Sequence, residues 1–411
     1  MLDPKMLKLS TLAAIGFVLA LPAMASPRVI DCSGNWEATV RSLEPEPAGP
    51  LTLSAVRCVS IPHDGYPVSL SPDGRKLLSF HELEGLWVGG IDRADTGSAF
   101  AGRISGSTFG SRSAPFEWRS DSSVVMGVAQ ETNRHGFALT PLQPYLFTAD
   151  GQKTRLPALS HPNGPLDEVF WMDGTGSAFA TFGTRGRYYN PERTDVSPTI
   201  AMANALTGEV LQSFPITEIE GLGDRRQWVA ASRTKDNGRI RTLVAWPPDR
   251  WMLWDQNERP RLVPIEIETR RPTFTLSMDG SQVLIMGNLS ATGVVCEFGR
   301  KCPAPIPQSG MIAQLREVTS GTVVWSIDGT ARGFTTSIVP AVSPNNRYAL
   351  ILLPDDRQYV ALISMADGRV LQQFPIPGWA SLSFGFSADG RQAWLTGGST
   401  IAVFDIDSNP E

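Results

Sequence analysis

No stretch of the chain holds an apolar stripe at the 3.6-residue helical period. Short runs rich in β-branched and aromatic residues recur instead, bounded by Gly, Pro, Asp or Asn. That alternation predicts strands joined by tight turns. The turns themselves repeat. In Leu70-Ser71-Pro72-Asp73-Gly74-Arg75-Lys76-Leu77 an apolar residue, two small or polar ones and an acid-type turn precede a strand. Trp118-Arg119-Ser120-Asp121, Phe170-Trp171-Met172-Asp173-Gly174 and Leu276-Ser277-Met278-Asp279-Gly280 follow the same pattern, as do Val342-Ser343-Pro344-Asn345-Asn346 and Phe386-Ser387-Ala388-Asp389-Gly390. Asp-Gly and Asn-Asn suit hairpins because these residues tolerate positive φ. The interval from 173 to 279 is about twice the rest and calls for one more copy. Asp236-Asn237-Gly238, after Trp228-Val229-Ala230-Ala231-Ser232, supplies it; Asp224 is a competing choice that leaves the count unchanged. The copies number seven.

A second motif sits later in the units. Thr207-Gly208-Glu209-Val210-Leu211-Gln212-Ser213-Phe214-Pro215-Ile216 matches Asp367-Gly368-Arg369-Val370-Leu371-Gln372-Gln373-Phe374-Pro375-Ile376, and Ser320-Gly321-Thr322-Val323-Val324-Trp325 is a weaker copy. Each reads as the turn from a third to a fourth strand, plus that strand. Two motifs in fixed order predict an all-β fold, a seven-bladed β-propeller of four-stranded antiparallel blades. After Asp389 the chain has only two clear strands, Gln392–Thr396 and Thr400–Asp405. Leu51–Ile61 is strand-like and otherwise unassigned, so it is expected to supply the missing outer strand and close the ring, leaving no open edge there. The propeller then spans 51–411, preceded by an extension, 26–50.

The Ser-Pro-Asp-Gly type of turn followed by a strand resembles the WD-repeat-like propellers of the TolB type, over roughly residues 51–407. The resemblance implies the fold alone. TolB-type proteins carry an N-terminal α/β domain, for which 26–50 is too short. Only Trp254-Asp255 stands as a Trp-Asp pair in the expected third-strand position. Prolyl-oligopeptidase-type enzymes place such a propeller before a hydrolase domain, but no Gly-x-Ser-x-Gly occurs here.

The N-terminus adds a compartment. Lys5 and Lys8 precede an apolar run from Leu9 to Leu21, and Ala23-Met24-Ala25 ends it with small residues. This predicts a bacterial signal peptide over 1–25, cut before Ser26, and a periplasmic or secreted protein. No other run is long enough for a membrane helix. Charge is near balance, with 36 basic and 41 acidic residues for a net −5. That argues against non-specific nucleic-acid binding. Four cysteines, Cys32, Cys58, Cys296 and Cys302, fit an oxidising compartment and allow three pairings. Cys32–Cys58 and Cys296–Cys302 are favoured because each joins sequence neighbours. No C-x-x-C is present for a redox or zinc site.

Function is sought on one end of the ring. The long insertions at about 130–143, 183–197 and 287–310 are all second-to-third-strand loops and project from the end opposite the Asp-Gly turns. The middle one combines Arg185 and Arg187 with Tyr188 and Tyr189, residue types that carry much binding energy at interfaces. Arg300 lies between two of the cysteines, and Trp379 lies near an inter-blade loop. All four histidines, His63, His81, His135 and His161, fall on this end with Asp64, Glu82, Glu131 and Asp167 near them in sequence. They are weak metal candidates, because no two have metal-motif spacing. The other tryptophans are expected to pack between blades. These features point to a binding module for a protein, peptide or envelope component, with no cofactor expected. The rival is a hydrolase or lactonase with a metal or His/acid site at the channel mouth.

Overall fold

The computed structural model describes residues 28–31, 50–60, 66–81, 85–90, 98–99, 104–105, 116–119, 121–131, 143–148, 152–162, 164–172, 175–182, 199–219, 230–236, 239–246, 250–267, 272–287, 289, 307–331, 338–354, 359–375, 382–387, 389–397 and 400–406. Among these the chain is all-β, with one 3-10 turn at Ile216–Glu218 and no helix long and apolar enough to cross a membrane. The strands form seven small antiparallel sheets, named here in chain order of their first strands. Sheet one spans 66–99, sheet two 104–155, sheet three 160–215, sheet four 230–263, sheet five 273–331 and sheet six 341–375. Sheet seven holds Leu382–Phe386, Gln392–Gly397 and Thr400–Ile406.

Four of the seven have four strands in simple up-and-down order. The two tight-turn motifs fall where the repeats place them, between first and second strands and between third and fourth. Sheet four follows the reading that uses Asp236: this residue ends the first strand and pairs with Arg239, which starts the second. Trp254-Asp255 ends the third strand of that sheet, Arg250–Asp255.

Sheet seven takes its fourth strand from the start of the chain. Leu51–Ser60 pairs antiparallel with Thr400–Ile406, Leu51 opposite Ile406 and Cys58 opposite Thr400. The expected strand is therefore present. The sequence pattern did not indicate a fifth one: Arg28–Asp31 pairs outside it, with Ile30 opposite Cys58. The extension thus pairs with the strand that completes sheet seven. Cys32, Cys296 and Cys302, and hence both favoured disulfides, lie outside the described residues, as do 1–25.

Apolar layers bind neighbouring sheets. Phe179, Ile200 and Met202 of sheet three bury against Ile240, Val244, Met252 and Trp254 of sheet four. Ala178, Ala180 and Phe182, on the other face of sheet three, pack with Met126 of sheet two. Trp251 of sheet four meets Phe274 of sheet five with ring centroids 4.7 Å apart. Trp118, Trp251, Trp254, Trp325 and Trp394 are all buried, in keeping with the packing role expected of the tryptophans. First strands also touch from sheet to sheet: Ala230–Asp236 contacts Thr273–Leu276, and Leu382–Phe386 of the last sheet contacts Tyr66–Leu70 of the first.

The second motif explains how the outer strands hold their neighbours. Gln212, Trp325 and Gln372 occupy one position in its three copies, opposite Met202, Leu315 and Leu362 of their third strands. Gln212 donates from Nε2 to the Glu258 carbonyl at 3.0 Å and accepts from the Asn257 amide at 3.3 Å. Trp325 Nε1 donates to the Met365 carbonyl at 2.9 Å. In each case the target is the turn before the fourth strand of the next sheet. Sheet seven has no such turn, and Gln372 instead accepts from the Leu51 amide at 2.8 Å and donates to the Leu51 carbonyl at 3.0 Å. The side chain that elsewhere clasps a turn here fastens the N-terminal strand.

Candidate functional site

The two ends of the sheets differ in build. At one end, the first-to-second-strand turns are locked by a local network. Ser71 Oγ donates to Asp73 Oδ1 at 2.5 Å, Asp73 Oδ1 accepts from the Arg75 amide at 3.1 Å, and the Lys76 amide donates to Ser71 Oγ at 2.8 Å. Ser277 with Asp279, Ser343 with Asn345, and Ser387 with Asp389 repeat it. The next residue has positive φ in every copy: Gly74, Gly280, Asn346 and Gly390. This is why the motif requires Ser, then Asp or Asn, then Gly or Asn. The Ser387 hydroxyl and the Arg391 amide hold the Asp389 carboxyl below its usual range. These acids are engaged in forming turns.

The turns also meet across sheets. The Asp73 amide donates to Ser122 Oγ at 3.1 Å, and the Met278 amide donates to Asn346 Oδ1 at 2.7 Å. Arg241, paired with Asp255 through two nitrogens, donates from Nη1 to the Gly280 carbonyl at 3.0 Å. The tight turns of neighbouring sheets therefore share one end. Strand alternation sends the second-to-third connections to the other end. Three of them are long: 132–142, 183–198 and 287–307 separate their strands. Arg185, Arg187, Tyr188, Tyr189, Arg300, Trp379, His63 and His135 all lie outside the described residues. His81 ends a strand opposite Gly85.

His161 is the one candidate whose surroundings can be given. It sits in the two-residue strand Ser160–His161, which pairs with the start of the first strand of sheet three. Its Nε2 lies 3.2 Å from Ser213 Oγ in the fourth strand, and its ring lies 5.4 Å from that of Phe182. Partial burial pushes its pKa below the ordinary 6.5. The ring thus ties the entry of sheet three to the outer strand of that sheet. Ser213, 52 residues away, carries no local signal that would have named it as the partner. Among the described residues no three His, Cys, Asp or Glu side chains gather as a metal site would need.

The burial has a measurable consequence. The fold favours neutral His161, so its contribution is fully present above pH 6.5 and declines as pH falls through 6.5 toward the lower folded value. In urea titrations from pH 8 to pH 5, His161→Gln is expected to remove part of the stability lost on acidification. An unchanged pH slope in the variant would show that the ring is solvated in solution.

No protein-family model matches this chain, and no curated protein matches it.

Proposed function

We propose that this chain is an exported, closed seven-bladed β-propeller that binds a protein or another envelope component over its loop-bearing end. The contact between the first strands of sheets seven and one supports the ring. So does the recruitment of Leu51–Ser60 as the fourth strand of the last sheet. The TolB-type resemblance agrees with this architecture, and the signal-like residues 1–25 support export.

One observation carries the binding reading: the asymmetry between the ends. Hydrogen-bonded turns close one end, where the acidic side chains are engaged locally. The opposite end bears the long connections, including the one with Arg185, Arg187, Tyr188 and Tyr189. Ordered strands beneath long loops make a rigid base for recognition, and Arg and Tyr supply anchoring contacts. His161, the candidate with a described environment, packs against Phe182 and Ser213, which favours binding over hydrolysis as the role of this end.

A crosslinked pull-down of the tagged, exported protein from cell envelopes tests the proposal. A specific partner is expected with the wild type and is expected to be lost with the triple variant Arg185→Ala, Arg187→Ala, Tyr188→Ala. Recovery of no partner with either protein, or the same partner with both, would count against this site.

A further inference from the structure

The layer between sheets three and four contains more than apolar groups. Along the second strand of sheet three, Ser177–Phe182, side chains alternate between faces. Phe179 packs toward sheet four, so Thr181, two residues on and opposite Ile200, shares its face. In sheet four, Thr242 stands between Ile240 and Val244, which pack toward sheet three, and opposite Trp254, which does the same. Three polar groups thus face one layer: the hydroxyls of Thr181 and Thr242 and the indole N–H of Trp254. All three residues are 0 % exposed. None of the three polar atoms has a hydrogen-bond partner among the described residues.

This departs from how the chain treats other buried threonines. Thr273 donates to the Ile338 carbonyl at 2.6 Å, and Thr396 donates to the Ser383 carbonyl at 3.2 Å. Leaving a buried donor unpaired forfeits its hydration with nothing in return, so native interiors rarely do so. The apolar side chains that pack in this layer, among them Phe179, Ile200, Met202, Phe214 and Val244, cannot serve as partners. A single water that contacts three buried polar groups is the common solution in protein interiors.

We infer that a structural water is bound between sheets three and four, accepting from Trp254 Nε1 and hydrogen-bonded to the hydroxyls of Thr181 and Thr242. The water hydrates a layer whose aromatic packing, with Phe179 and Phe214 edge-on to Trp254, would otherwise enclose three unmatched dipoles.

Isosteric valine variants test this by sign. If the hydroxyls are unmatched, Thr181→Val and Thr242→Val stabilise the fold. If they hold a water, each lowers the folding equilibrium constant, by about tenfold. The double variant then loses less than the product of the two, because the second change acts at a site that has already lost its water. Wild-type protein gives an independent readout. The Trp254 indole proton, assigned through Trp254→Phe, is expected to show a cross-peak to a long-lived water in NMR, and Thr242→Val is expected to weaken it. A valine variant of unchanged or raised stability, or an indole proton with no such cross-peak, would overturn the inference.

Discussion

Replacing Gly321 with alanine is expected to cost the fold about 3 kcal/mol, among the largest losses for any single methyl group in this chain. Two causes act together. The residue has φ +70°, in the left-handed region that L side chains rarely adopt. Its new Cβ would also lie 2.1 Å from the Pro264 carbonyl oxygen and 2.8 Å from the Pro264 carbonyl carbon. Both atoms are backbone, so no rotamer change relieves the overlap. The third-to-fourth turn of sheet five would have to lift away from sheet four. The turn itself is fixed by the Gly321 amide donating to the Glu317 carbonyl at 2.9 Å and by Arg316 Nη1 donating to the Gly321 carbonyl at 2.8 Å. Gly310→Ala is the matched control. Its Cβ would meet only the end of Leu289 at 3.3 Å, without positive φ, and a loss below about 1 kcal/mol is expected. Urea unfolding of both variants decides the matter. Equal losses would mean that the turn does not seat on Pro264 in solution.

The second large effect is expected at Gln372. Gln372→Leu keeps the side-chain volume but strands the Leu51 amide and carbonyl, which are buried at the start of the fourth strand of sheet seven. A loss of about 3 kcal/mol is expected, since each unpaired buried backbone group costs about 1–3 kcal/mol. Limited proteolysis is expected to attack the chain before residue 61 sooner than in the wild type. Gln212→Leu makes the same change at the equivalent position of sheet three. There the bonds to Asn257 and Glu258 are solvent-exposed, so water replaces them and a loss below about 1 kcal/mol is expected. If the two variants lose stability equally, burial of the clasp at Leu51 is not what holds the N-terminal strand.

What the sequence made legible was local. The Ser-x-Asp-Gly turns could be read because everything that fixes them lies within six consecutive residues, from Ser71 to Lys76 or from Ser387 to Gln392. The fourth-strand turns could be read because two copies are nearly identical in letters. Leu51–Ser60 could be placed because the last sheet was one strand short. Features set by distant partners were hidden. Arg28–Asp31 is four residues long and has no periodicity of its own; only the edge of Leu51–Ser60 gives it a role. The clasp was hidden for a different reason. Trp325 and Gln372 share a polar N–H at a common reach, not a residue type, so the letters conceal the equivalence. At the loop-bearing end, His161 was named from composition, whereas its contact with Ser213 depends on how the outer strand of sheet three returns past its entry.

The pairing of the two chain ends also sets an order of events. Ser54 Oγ donates to the Val403 carbonyl across 349 residues of sequence. The strand that holds Ser54 is synthesised long before the strand that receives it. Until Thr400–Ile406 is made, Leu51–Ser60 has only Arg28–Asp31 to pair with, and its other edge is open. Pairings this distant in sequence form late, because the loop must be closed before any contact rewards it. The six sheets from 66 to 375 can each form from contiguous chain, whereas the seventh must wait for Thr400–Ile406. A ribosome stalled before residue 400 would therefore hold a nearly complete array of sheets with its first strand still free to pair with another chain.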